Sequence, residues 1–354
     1  MLDNNTSAPV PAGYRPTSHL KQPHPAVYFL EELKGKVFWE AMDPNCCHFL
    51  HQVLERRKPE GMQMIYSELK DQICVLMLDR FGSYVIQKLY EVCDEEQMNQ
   101  LVFSVTANVD VLMAVCLNSQ GSKSMKKFLD CLMTPEQISH MISIFQRLTV
   151  PLVNNEIGVE VIRHCFDIFP AKQTQIINVI ADNLFEIATK ESGSFLLRDV
   201  LNSEVFLLES RQRVLTEIIA NVHRLSRDPC GYNVVRCVIN YRMQDGVKDI
   251  VARLTGTFAC MSMTKYATNV VLKLIENYKE EYAPQIIDEI ICSSDFSRVL
   301  QHPCGKTVLE RYKKYSSSYT ILQGTVLKSL NHQIALHSDH LHSHRQGKNI
   351  LPKS

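Results

Sequence analysis

Thirteen histidines and twelve cysteines are the side chains of this 354-residue sequence best suited to bind metal or act as nucleophiles. Five histidines crowd into one stretch, His332, His337, His340, His342 and His344, and such a cluster can ligate a divalent cation. No cysteine or carboxylate spacing completes a defined site there, and a polar capping segment explains the residues more simply. The cysteines fall singly among apolar runs, apart from Cys46 and Cys47, and no CxxC pair occurs. That pattern argues against a zinc framework or a thioredoxin-type centre and for reduced, mostly buried thiols. Serine, histidine and aspartate are abundant, yet GxSxG, phosphate-loop and HExxH strings are missing. The expectation is a protein that is not an enzyme and carries no metal or cofactor.

A different chemistry lies in a string that recurs along the chain: a small residue, two variable residues, two aliphatics, then a polar one. Copies begin at Gly82, Gly158, Gly193, Gly231, Ala267 and Gly305, with looser ones at Cys46 and Gly121. The eight starts are separated by 36, 39, 37, 35, 38, 36 and 38 residues, a regularity that chance does not produce. Counted from the small residue as zero, offsets three, four, seven and eight are mostly apolar and form one helical face. Offsets one, two and five vary, and at about 100° per residue they fall together on another face. Eight sets of polar, aromatic and cationic side chains could therefore line one surface.

The elements that would position them follow from the period. Between these helices lie two further amphipathic stretches, such as 95–106 and 109–117, giving three short helices per repeat. The small residue either lets the preceding turn pack closely or supplies an unusual backbone geometry. Pro44, Pro229 and Pro303 stand just before three of the helices, where a missing N–H is least harmful. One such unit cannot bury its apolar face alone, so neighbours must stack into a curved rod with a continuous core.

The stretch from Phe81 to Leu89 resembles the second helix of a Pumilio repeat, as does that from Lys265 to Lys273, and Gly347 to Leu351 looks like the family's C-terminal cap. With eight copies at this period, the resemblance to the Pumilio family runs from about residue 26 to the end. It implies an all-α, right-handed α-solenoid of eight three-helix repeats whose concave face carries single-stranded RNA, one base per repeat. Offsets one and five would hydrogen-bond a base edge, and offset two would stack between bases. In the second repeat Ser83 and Gln87 resemble the family's adenine pair, with Tyr84 stacking. In the fifth, Ser194 and Arg198 around Phe195 are similar to its cytosine combination. In the seventh Asn269 keeps the stack, while Thr268 and Leu272 depart from the Ser/Glu pair that reads guanine. The others depart further: Cys47, His48 and His51 in the first; Ser122, Lys123 and Lys126 in the third; Val159, Glu160 and Arg163 in the fourth. The sixth has Tyr232, Asn233 and Arg236, and the eighth Lys306, Thr307 and Glu310.

Charge is balanced, with 38 Lys and Arg against 38 Asp and Glu, so attraction to phosphate must come from local placement. Lys126, Arg163, Arg198 and Arg236 at four consecutive offset-five positions would make the middle of the row basic. A segment over 1–25 rich in Pro, Ser, Thr and Asn is expected to lie outside the fold, with repeats over 26–345 and the end of the cap over 346–354. No run of about eighteen uncharged apolar residues suggests a membrane span. The leading functional expectation is an mRNA-binding regulator acting through the 3′ untranslated region on translation and mRNA stability. Protein cofactors would sit on the convex face, the chain would be a monomer, and the cytoplasm is favoured, with nucleus and nucleolus left open. Two alternatives stand: an rRNA-processing or ribosome-assembly factor with little base preference, and a helical scaffold holding an extended peptide.

Overall fold

A computed structural model describes residues 30–241, 244–316 and 328–336. The segment 1–25, the histidines beyond His332 and the capping segment from Gly347 to Leu351 lie outside the described residues. Among the described residues every regular element is helical.

Eight inner helices carry the recurring string: α1 Cys46–Glu55, α2 Gly82–Val92, α3 Ser119–Asp130, α4 Gly158–Ile168, α5 Glu191–Asn202, α6 Gly231–Asn240, α7 Ala267–Asn277 and α8 Pro303–Ser316. Each packs against the next, so the eight form one layer of an α-solenoid. The aliphatic pairs at offsets three and four are buried, as in Val85 with Ile86, Val161 with Ile162, and Val270 with Val271. Each contributes about 1.5–3 kcal/mol by leaving water. One continuous core runs from Leu33 to Leu330.

Helix starts have a local cause that recurs with the period. An Asp or Asn three residues before the small residue accepts backbone N–H bonds there: Asp43 from Cys46, Asp79 from Gly82, Asn118 from Gly121, Asn155 from Gly158 and Asp228 from Gly231. Such caps satisfy donors that have no partner within the helix. In the third, fifth and eighth repeats the helix begins two residues before the glycine, so Pro303 is the first residue of α8 and does not precede it. The glycine itself serves close approach. A Cβ on Gly158 would lie 2.8 Å from the carbonyl oxygen of Leu152, and one on Gly305 would meet the carbonyl of Val299 more closely still.

Two outer helices separate most neighbouring inner ones, and the pair Glu95–Thr106 and Val109–Leu117 meets at 91°. Asp94 with Gln97 and Thr134 with Gln137 form capping boxes at the starts of two outer helices. The expectation of two outer helices fails between α3 and α4, where a single helix, Pro135–Val153, runs through Pro151. Asn183 and Asn221 close the first outer helices of the next two spans, ten residues ahead of the inner-helix glycine, whereas Leu148 stands at that place here. Leu148 is buried and offers the chain no reason to turn.

Candidate nucleic-acid interface

Contacts between successive inner helices show which variable residues share a line. His51, at offset five of the first repeat, stacks on Tyr84, at offset two of the second, with centroids 4.2 Å apart and planes 8° apart. Arg163 at offset five of the fourth lies with Cζ 5.0 Å from the ring centroid of Phe195, at offset two of the fifth. Offset one meets the residue preceding the next small residue. Ser83 Oγ accepts from Gln120 Nε2 at 2.7 Å, Ser194 Oγ donates to the Cys230 carbonyl at 3.2 Å, and the rings of Tyr232 and Tyr266 are 5.5 Å apart. The offset-five to offset-two contact thus joins the first to the second and the fourth to the fifth repeat, and the offset-one contact joins the second to the third, the fifth to the sixth and the sixth to the seventh. In the eighth, Lys306, Thr307 and Glu310 are exposed on α8, and Thr307 Oγ1 donates to the Pro303 carbonyl at 3.0 Å.

The three offsets are not equally open. Offset two is exposed or half-buried throughout: His48, Lys123, Glu160 and Thr307 are exposed, Asn233 and Asn269 are half-buried, and Tyr84 and Phe195 keep 41% and 52% of their surface. These two rings are free to offer a face, as a stacking role requires. Offset one is a correction to a surface shared by all three positions. Cys47, Ser83, Ser122, Val159, Ser194 and Thr268 are buried, because the helices approach closely enough to enclose a short side chain beside the small residue. Thr268 Oγ1 turns to the carbonyls of Met261, Ser262 and Thr264. At this offset Tyr232, too large to be enclosed, is half-buried against the core, and Lys306 is exposed.

Offset five carries the charge. Arg198 donates from Nε to the Ser194 carbonyl at 3.3 Å, with Cζ 4.9 Å from the Phe195 centroid. Arg236 sits 5.8 Å from the Tyr232 centroid. Neither they nor Lys126 pair with a carboxylate among the described residues. Arg163 does: it is bonded to Asp199 and lies 3.5 Å from Glu160. The basic middle of the row therefore holds three uncompensated cations of the four expected. Gln87 and Leu272 are half-buried, and Leu272 packs on the core. His51 is pushed below the ordinary imidazole value by burial and then by Lys88, which keeps the ring neutral against Tyr84.

Gln120, Cys230 and Tyr266 belong to the line although they lie outside the variable offsets. Their constant place just before the small residue was the available signal.

A family model described as a Pumilio-family RNA binding repeat matches residues 41–70, 72–105 and 258–291, the first, second and seventh repeats. Three segments of the chain thus match the Pumilio-family repeat. Pumilio homolog 12 of Arabidopsis thaliana is 29% identical over 91% of this chain and 53% of its own length. The chain spans about half the length of the curated relatives it matches. The RNA-binding domain of yeast Puf5p bound to SMX2 RNA superposes with a TM-score of 0.70 at 22% identity, covering 90% of this chain and 94% of that one. The Puf4 RNA binding domain, bound to an HO endonuclease RNA 3′ UTR recognition sequence, gives 0.65 at 24%, covering 84% and 93%. These likenesses establish the Pumilio solenoid fold. Two of the three matched segments contain the Phe81–Leu89 and Lys265–Lys273 stretches on which the resemblance was first drawn.

Proposed function

We propose that this Pumilio-like chain binds single-stranded RNA along its inner helices and regulates messages through their 3′ untranslated regions, in the cytoplasm. The observation that carries the reading is the repeated register in which an offset-five side chain of one repeat meets the offset-two side chain of the next, as His51 meets Tyr84. Planar groups held in that register, at the spacing of successive repeats, suit a strand whose bases are splayed and stacked. The Puf4 and Puf5p domains bound to RNA share the fold and support the ligand class.

Base reading is concentrated in the second and fifth repeats. There Gln87 stands beside the open ring of Tyr84 and Arg198 beside that of Phe195, while Ser83 and Ser194 are enclosed between repeats and leave the edge contact to offset five. Val159 and Leu272 cannot hydrogen-bond a base edge, and the Thr268 hydroxyl is surrounded by backbone carbonyls. These positions favour a second reading, a factor with weak base preference engaged in rRNA processing. Selection from a random RNA pool separates the two: a short phased consensus supports the regulator, and basic-dependent enrichment without one supports the assembly factor. No enrichment would remove RNA binding and leave the peptide scaffold. Membership of the line extends to Lys123, Asn233, Lys306 and Glu310 as weaker contributors, whereas Cys47 and Ser122 are enclosed between repeats.

A further inference from the structure

Further along the inner helices, successive repeats are tied by acid–base pairs in a fixed register. A carboxylate at offset nine of one repeat meets a basic group at offset six of the next. Glu91 meets Lys127, Asp130 meets His164 and Glu276 meets Arg311, each at 2.7 Å. Between the fourth and fifth repeats the same register brings two carboxylates, Asp167 at offset nine and Asp199 at offset six. Both line a cleft of about 500 Å³ floored by Phe166, Leu196 and Phe206. Two like charges facing one cleft demand a counter-charge. It comes from the proposed RNA row: Arg163, at offset five, bonds Asp199 through Nη1 and lies with Nε 3.5 Å from Glu160. One guanidinium thus stands among three carboxylates.

We infer that Asp199 is an affinity-determining residue that withholds Arg163 from RNA, so that the fourth repeat neutralises no phosphate. The inference rests on the RNA-binding reading. Charge at this place in the row is set by a residue outside it, and the cause is a single departure from the ladder register: an acid at offset six where Lys127, His164 and Arg311 stand elsewhere.

The test is the salt dependence of binding to a labelled single-stranded RNA of random sequence. Asp199→Asn keeps the shape and removes the charge. It should tighten binding at low salt and steepen the slope of log affinity against log salt by about 0.7, the increment for one more neutralised phosphate on a single strand. In an Arg163→Gln background the same substitution should leave the slope unchanged. Asp167→Asn removes a charge from the same cleft without touching the ion pair, and it should not reproduce the steepening. An unchanged or shallower slope in folded Asp199→Asn protein would overturn the inference, as would equal steepening by Asp167→Asn. Failure of the RNA-binding reading looks different: the wild-type slope would not respond to Arg198→Gln with Arg236→Gln. If that pair flattens the slope and Asp199→Asn leaves it alone, only the role of Asp199 falls.

Discussion

The imidazole of His51 lies flat on the phenol ring of Tyr84, 4.2 Å between centroids, and joins the first repeat to the second across 33 residues of sequence. Tyr84 remains open to solvent on the inner row, so a base can stack where the ring is bare. Tyr84→Ala should weaken binding to a selected RNA by roughly 1–3 kcal/mol, the range for one base–aromatic stack. Fluorescence anisotropy would read this as about a 5- to 150-fold rise in Kd. Phe195→Ala should act similarly, and wild-type affinity in the double variant Tyr84→Ala with Gln87→Ala would remove the second repeat from the site.

The same stack has a pH signature. Burial, assisted by Lys88 and opposed by Glu55 and Glu91, holds His51 below the ordinary imidazole value. Above that value both folded and unfolded forms are neutral, and His51 adds no pH dependence. As pH falls through it the unfolded chain takes the proton first, so stability is lost until the folded form is protonated too. Thermal melts of the wild type and His51→Gln between about pH 7.5 and 5 should show the wild type losing ground relative to the variant as the medium is acidified. Parallel curves would contradict the shift.

Glu91 is held below the ordinary glutamate range by its hydrogen bonds from Lys127 and Lys88. Its contribution to stability is therefore present above the unfolded-state value and disappears as pH falls through the lower folded one. Because the pair is partly exposed, Glu91→Gln should cost only about 0.2–1 kcal/mol at neutral pH. Urea unfolding should find that difference closing in acid.

Close approach at the inner-helix starts makes a sharper demand. Gly158→Ala drives a methyl into the Leu152 carbonyl, and the required shift should cost about 1–3 kcal/mol. Ala267 already holds a Cβ at the equivalent place in α7, so Ala267→Gly should cost only about 0.5–1 kcal/mol. Equal losses in the two variants would show that the glycine is not retained for space.

Thiol reactivity should divide by depth. Burial pushes the Cys116 and Cys165 thiols far up, whereas Cys260 and Cys292 are exposed. Brief alkylation with iodoacetamide should label Cys260 and Cys292 first, with Cys116 and Cys165 reacting only on unfolding, as peptide mass spectrometry can resolve. Early labelling of Cys165 would mean that the α4 seam opens in the native protein.

Sequence by itself determined the period, the eight inner helices and the apolar faces that Val85, Ile86, Val270 and Val271 bury, because these depend on helical periodicity and neighbours a few residues away. The caps from Asp79 and Asn155 belong to the same local class. Tertiary structure decided what happens between residues about 36 apart: that Ser83 and Ser194 are enclosed in seams, that Arg163 answers to Asp199, and that Leu148 lets one outer helix continue where Asn183 ends another. A pattern along one helix fixes which face is apolar, but the depth of a side chain and the partner of a charge depend on how near the next repeat comes, and that distance is set by packing.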